Sequence, residues 1–320
     1  MRSILFAIGP WNWTILPFIW IAVLAFVLGW QHMEARDRRE TLTATDYAGT
    51  AVVSLVASVL IFLLVNRFGP LTIKAYGVML LVAFVAGAWW TAHSATREEM
   101  PLPEVIDVAL LALVGSIIGA RVVYVILEYD QFQSLGDIVN LWSGGLSFHG
   151  GLAGALLATW PYIRYRGRSF LVALDQFAPG IALGYAFARI GCFLNGCCHG
   201  HATDLPWAVT FPPDGACVLP GEPLHPSQLY ASAASLMIFF ILVRLKPVFK
   251  QASHLFLSYL MLYSVYRFLV EFTRAGVTAE PLSANSWLTV AQAASIVIFV
   301  IASAIMLLTW PHEEQGGEYD

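Results

Sequence analysis

Apolar residues run in blocks of about 20 along nearly the whole chain, each closed by a short polar or charged stretch. A block of that length is what an α-helix needs to cross about 30 Å of hydrocarbon. The pattern predicts spans at roughly 11–30, 48–66, 75–93, 105–126, 150–163, 171–194, 227–244, 254–272 and 287–309. The fifth is short, which fits a tilted or half-inserted helix. Blocks of this length point to helices rather than a barrel, because a helix satisfies its own backbone inside lipid. The predicted fold is all-α: a polytopic helical membrane protein of about nine transmembrane helices, with no soluble domain of any size. No A-x-A-like site follows the first block before the charged cluster at 34–40, so it reads as a retained span rather than a cleaved signal peptide.

Composition agrees. Of the 320 residues, 58% are hydrophobic and 12% charged, and the mean hydropathy is +0.69; a soluble domain carries about 25% charged residues. The net charge of −4 is thinly spread and gives no reason to expect a nucleic-acid partner. The cations are informative by position. Ten of the 17 fall in alternate loops: Arg36, Arg38, Arg39, Arg97, Arg164, Arg166, Arg168, Arg244, Lys246 and Lys250. The opposite loops and the N-terminus hold four, Arg2, Arg67, Lys74 and Arg274. That asymmetry places the N-terminus outside and the acidic tail 311–320 in the cytoplasm. The long polar loops 127–149 and 195–226, which contain no Lys or Arg, then face outward.

The remaining three cations, Arg121, Arg189 and Arg267, fall within or at the ends of spans. A guanidinium stays charged at any working pH, so inside a membrane it costs several kcal/mol unless paired or hydrated. One such arginine reads as a helix-end residue snorkelling to the headgroups; three in one chain point to an anion site. Arg189 lies in the segment AFARIGCFLNGCCHG (186–200), followed at once by a Gly- and Cys-rich turn. Tyr263, Arg267 and Glu271 recur every four residues and share one helix face. A structural ion pair and a phosphate clamp both account for that face; beside Arg189, the clamp is favoured, since planar guanidinium groups bind phosphate oxygens bidentately. His149 sits among Gly144, Gly145, Gly150 and Gly151, glycines that allow close approach of the backbone, and an imidazole there can take a proton from a thiol or hydroxyl. In LHPSQLY (224–230), Pro226 opens a helix, and His225 and Gln228 stand at its mouth. Asp175 reads as a structural acid. The four cysteines, Cys192, Cys197, Cys198 and Cys217, all lie in or beside the outward 195–226 loop. A disulfide from Cys197 or Cys198 to Cys217, a zinc site with nearby histidines, a nucleophilic cysteine and free thiols all stay open.

Several segments in this order resemble the prolipoprotein diacylglyceryl transferase family of bacterial inner-membrane enzymes. They are Lys74-Ala75-Tyr76-Gly77, Gly119-Ala120-Arg121 with Tyr124, and Gly144 through Gly151. Asp175-Gln176-Phe177-Ala178-Pro179 follows, then Arg189-Ile190-Gly191 leading to Asn195-Gly196 and Gly200. His225 through Tyr230 and the Tyr263, Arg267, Glu271 face complete the set. The resemblance covers about residues 68–310. It divides the chain into an extra N-terminal two-helix region (1–67), a seven-helix core (68–310) and the acidic cytoplasmic tail (311–320). It implies transfer of the diacylglyceryl group of phosphatidylglycerol to the lipobox cysteine of a prolipoprotein signal peptide, with release of glycerol phosphate and no cofactor or metal. Its essential arginines fall on Arg189 and Arg267, its histidine on His149, its tyrosines on Tyr76 and Tyr263, and its glutamate on Glu271. Arg121, Gly150, Gly151, Asn195, Gly200, His225 and Gln228 join them as expected substrate-binding positions. Cys192 and Cys197 stand where the best-studied branch has Asn and Glu. Two rival functions are a lipid- or lipoprotein-binding membrane protein without catalysis and a diacylglyceryl transferase with another acceptor. A transporter is a weaker reading, since there is no inverted repeat.

Overall fold

A computed structural model of the chain describes residues 4–8, 17, 20–21, 23–25, 27–28, 44–68, 71–95, 100–132, 134–140, 144–213, 216–249, 251–275 and 287–310. Most of the first predicted span, Arg2, the loop cations Arg36, Arg38, Arg39, Arg97 and Lys250, and the tail 311–320 lie outside these residues. The chain forms two compact units, residues 2–77 and, together with Met1, residues 78–320.

The N-terminal unit holds helix α1 (Ala44–Phe68) and a two-stranded antiparallel pairing of β1 (Ile4–Ile8) with β2 (Leu71–Lys74). The apolar pattern gave no hint of this pairing. The Trp20 indole donates to Ser54 Oγ at 3.0 Å on α1. Helix α2 (Ala75–Ser94) begins in this unit and continues into the next.

The larger unit is a helical bundle. After α2 come α3 (Leu102–Leu127), the short α4 (Leu135–Val139), α5 (Phe148–Tyr165), α6 (Phe170–Asn195), α7 (Ser227–Leu245), α8 (His254–Glu271) and α9 (Val290–Leu308). Predicted spans two to nine each coincide with one of the helices α1 to α9, and the described residues of the first are helical as well. Among the described residues, five of these helices (α2, α3, α6, α7 and α9) are long and apolar enough to cross a membrane. Helices α5 and α8, each 18 residues, are more polar.

Local chemistry sets the boundaries. Pro101 and Pro103 open α3, where a missing N–H costs nothing. Ser147 Oγ accepts from Gly150 N at 3.3 Å to start α5, and Thr289 with Gln292 makes a capping box for α9. Asp175 accepts from the backbone N–H groups of Ser253 and Phe256, both at 2.7 Å, so this acid caps the start of α8 from a neighbouring helix.

Packing between helices relies on small residues, as expected where lipid supplies no hydrophobic drive to helix association. Gly115 and Gly119 on α3 face Gly150 and Gly154 on α5; a Cβ built on Gly119 would fall 2.7 Å from the Gly154 Cα. Ala178 and Ala182 on α6, Ala231, Ile238 and Leu242 on α7, and Leu255 and Val270 on α8 form the main core. Ser232 and Ser235 on α7 donate to the carbonyls of Ala186 (3.0 Å) and Ala182 (2.8 Å) on α6. The end of the bundle where α5 meets α6 gathers charge. Buried Glu104 accepts from Arg166 at 2.8 Å and Arg168 at 3.1 Å, and Lys246 Nζ donates to Ser94 O at 2.6 Å and Gln176 Oε1 at 2.8 Å. The site lies at the other end of α6.

Candidate active site

Helix α6 carries Arg189 about 9 Å short of its C-terminal end, six residues at 1.5 Å each. Tyr185, one turn back on the same face, places its ring under the guanidinium, 4.7 Å from carbon to ring centroid. A cation–π contact supplies about 1–2 kcal/mol when desolvated. An arginine inside a membrane costs about 3 kcal/mol or more. The ring therefore offsets only part of the cost. Among the described residues Arg189 has no hydrogen-bond or ion-pair partner, so its donors are free to meet an anion.

Helix α8 brings the second arginine. Arg267 Nη1 donates to Glu271 Oε2 one turn along, and Glu271 is buried, 3% exposed, with Oε1 accepting from Thr289 Oγ1 at 3.4 Å. The carboxylate thus fixes one edge of the guanidinium. Tyr263 packs edge-on against Tyr185 with centroids 5.7 Å apart, and the Tyr185 and Tyr266 hydroxyls are 3.5 Å apart. Tyr263 and Tyr266 lie within electrostatic reach of both Arg189 and Arg267. The two arginines therefore face one tyrosine-lined region between α6 and α8. Tyr185 and Tyr266 were not singled out from sequence, although Tyr185 lies four residues before Arg189, the same-face spacing that linked Tyr263 to Arg267.

The turn after α6 is built by glycine. Gly196, at φ 79°, occupies the left-handed region that glycine enters without penalty, and Cys197 N donates back to Cys192 O at 3.2 Å. This reversal folds the chain over the helix end and brings the sulfurs of Cys192, Cys197 and Cys198 within 4.8 Å of one another. Of the alternatives open for the four cysteines, the structure has all four as free thiols, with Cys217 packed against Gly196. The Cys198 thiol is pulled well below the usual thiol range, first by hydrogen bonds from Cys192 and Cys197, then by the nearby Arg189 and Arg274. Arg274, at the end of α8, was read from sequence as a loop cation only. Its Nε is buried with no hydrogen-bond partner among the described residues, and its backbone bridges Gly200. It lies three residues past the end of α8, so the helical spacing that linked Tyr263, Arg267 and Glu271 does not reach it.

Other expected positions take supporting places. Gln228 is buried and donates to Cys197 O at 2.7 Å, which holds the cysteine turn. Asn195 ends α6 and accepts through its carbonyl from Ala216 N at 2.9 Å. Gly200 is packed so closely that a Cβ would fall 2.6 Å from Ser227 Oγ. The His225 ring stands edge-on to His201, centroids 5.2 Å apart; burial, and then the His201 charge, lowers its pKa.

Two expectations differ from the geometry. Arg121 was expected to touch substrate, but all five of its donors are taken by backbone carbonyls: Ile138, Gly144, Gly145, Asp137 and Asn140, at 2.6–2.9 Å. The positive φ of Gly144 (83°) and Gly145 (78°) fits these glycines to their place on the guanidinium. Arg121 thus ties the end of α4 to Gly144 and Gly145 and has no donor left for phosphate. Gly150 packs into α3 against Gly119 and Val123, and Gly151 lies near Ser116 and Ala120, so both face a helix seam rather than a ligand. His149 stands exposed on the first turn of α5, its ring edge-on to Phe148, centroids 5.7 Å apart. Among the described residues no hydrogen bond, ion pair or ring contact joins it to the arginines. Tyr76 stands on the first turn of α2, in the N-terminal unit.

Fold and site together define a polytopic helical membrane protein with two arginines facing a tyrosine-lined interior. The prolipoprotein diacylglyceryl transferase family model matches residues 63–309. The chain is 37% identical over 252 residues to the phosphatidylglycerol–prolipoprotein diacylglyceryl transferase of Nitratidesulfovibrio vulgaris, covering 75% of this chain and 90% of that protein. It is 35% identical over 259 residues to the enzyme of the same name from Azotobacter vinelandii, covering 78% and 93%. The Geobacillus kaustophilus enzyme is 35% identical over 254 residues, covering 76% and 90%. The chain belongs to the prolipoprotein diacylglyceryl transferase family.

Proposed function

We propose that this protein transfers the diacylglyceryl group of phosphatidylglycerol to the lipobox cysteine thiol of prolipoproteins, releasing glycerol phosphate. The observation that carries the reading is Arg189: a guanidinium seated on an aromatic ring, with no anionic partner among the described residues, in a chain of this family. Arg189 and Arg267 hold the phosphate, and Glu271 orients Arg267. In the transfer, the acceptor sulfur forms a bond to the terminal glyceryl carbon while the carbon–oxygen bond to phosphate breaks. The electron pair stays on the phosphate oxygen, where guanidinium charge stabilises the leaving group. His149 takes the thiol proton. It starts α5, and α5 runs straight into α6 through the 166–169 turn, so His149 and the end of α6 lie at the same end of the helix pair. Tyr263 serves as polar wall.

The protein is placed in the bacterial inner membrane with its site toward the outer face. The support is the charge pattern: Arg164, Arg166, Arg168, Arg244 and Lys246 gather away from the site, and the loop 195–226 beside it has no Lys or Arg. The N-terminus is placed outside and the C-terminus in the cytoplasm on the same grounds.

The test is purified protein in detergent with phosphatidylglycerol and a lipobox peptide, following glycerol phosphate release and the peptide mass. The expected result is a gain of one diacylglyceryl group on the peptide cysteine, lost in Arg189→Ala. A folded sample that binds phosphatidylglycerol but leaves the peptide unchanged would favour a binding-only protein or another acceptor.

A further inference from the structure

The phosphate clamp makes no use of the three thiols at the end of α6. Cys192 belongs to the helix, and Cys197 and Cys198 return over it after the Gly196 turn, yet the three sulfurs lie within 4.8 Å of one another. Cys198 takes φ 61°, a left-handed backbone that non-glycine residues seldom adopt and that costs about 1 kcal/mol or more. Gln228, itself buried, fixes the Cys197 carbonyl at 2.7 Å. Sulfurs on a triangle no wider than 4.8 Å lie at most about 2.8 Å from its centre, and a zinc–sulfur bond is about 2.3 Å. Inward shifts of about half an ångström would therefore place all three on one ion.

The chemistry of the donors narrows the occupant. Three sulfurs select a soft or borderline d10 ion such as Zn2+ over Mg2+ or Ca2+. Closed structural zinc sites have four protein ligands, whereas catalytic sites have three and keep a position open. The nearest imidazole in sequence, His199, donates its Nδ1–H to Gly200 O at 2.8 Å and is not part of the group. Cys198 is exposed, so the cluster is open on its side. Three thiolates and a divalent ion carry a net charge of −1, which Arg189 and Arg274, both within reach of Cys198, offset. A covalent role is chemically poor: a cysteine alkylated by the glyceryl carbon becomes a stable thioether, which would not pass the group on.

We propose that Cys192, Cys197 and Cys198 bind one Zn2+ through three thiolates, and that the fourth position takes the thiol of the acceptor peptide. The acceptor half rests on the transfer reading above; the metal half does not. On coordination the acceptor S–H gives its proton to solvent or His149. The metal-held thiolate then supplies the electron pair for the new sulfur–carbon bond, and the departing phosphate ester keeps the pair of the broken carbon–oxygen bond. The ion stays divalent, the three cysteines are unchanged, and the thioether product, a weaker ligand than a thiolate, leaves.

The test uses the full-length protein in detergent with a phosphine reductant and Cd2+ as the probe, read by ultraviolet thiolate-to-metal charge transfer. One Cd2+ per chain is expected, with the band weakened in Cys192→Ser, Cys197→Ser and Cys198→Ser and kept in Cys217→Ser. A peptide with a single cysteine should raise the band by roughly one third, as three thiolates become four, and its serine counterpart should not. In wild-type protein, Zn2+ should protect the three cysteines from alkylation and leave Cys217 labelled, a readout that needs no variant to fold. Absence of cadmium binding, or binding that survives loss of the cluster cysteines, overturns the site. Binding without a cysteine-dependent rise overturns the open position. No lipid is present, so these results do not depend on the transfer assay, and absence of transfer would count against the acceptor role alone.

Discussion

At the scale of single residues, charge without an internal partner is what separates function from architecture. Among the described residues Arg189 has none, whereas Arg121 has all five donors filled by backbone carbonyls. Arg189→Ala should therefore lower transfer at least about 100-fold, near 2.7 kcal/mol, with little change in thermal midpoint. Arg121→Ala should do the reverse, destabilising the protein by on the order of 3 kcal/mol in detergent melts while keeping more transfer activity than Arg189→Ala. Arg121→Lys should not rescue it, since one ammonium cannot serve five carbonyls. Glu271→Gln should reduce turnover about tenfold by freeing the Arg267 edge that the carboxylate now holds; equal turnover would dismiss the orienting role. Residue type marked all three arginines in sequence, but not their different roles. The carbonyls around Arg121 come from the short α4 and from residues after it, which only folding brings to the guanidinium, whereas Tyr263, Arg267 and Glu271 were legible as one face because helical spacing alone puts them there.

At the scale of elements, the helices were legible and their seams were not. A span must be about 20 apolar residues long whatever it touches, so α3 was placed at 105–126 and is found at Leu102–Leu127. Lipid-facing and helix-facing apolar residues look alike in sequence, so which glycines make seams appears only in the structure. Gly144, Gly145, Gly150 and Gly151 read as one ligand-approached group, yet the first pair serves Arg121 and the second packs on α3. Gly119→Leu should force α3 and α5 apart at a cost of about 1–3 kcal/mol or more, seen as a lower melting point. Gly49→Ala on α1, where an added Cβ meets nothing within 4 Å, should be neutral or slightly stabilising. An unaltered melt for Gly119→Leu would mean that the seam is loose.

At the scale of the whole molecule, the two ends of the bundle differ in charge, and the sequence carried that difference because membrane insertion reads loops directly. In a background with the four cysteines replaced by Ser, exposed Val218→Cys should react with an impermeant maleimide from outside intact cells. Exposed Tyr165→Cys should react only after permeabilisation; the opposite pattern would invert the proposed topology. The 195–226 loop has a further consequence. It is sewn down along its length: Ala216 N to Asn195 O at 2.9 Å, Gly221 N to Phe211 O at 3.1 Å, His201 N to Thr273 O at 3.1 Å, and a short pairing of Val209–Thr210 with Pro223–Leu224. Continuity of the chain between α6 and α7 is thus not what holds the two arginines in place. A single proteolytic nick between exposed Val218 and Leu219 should leave both fragments associated, and the two pieces expressed as separate polypeptides should find each other and reconstitute a working enzyme.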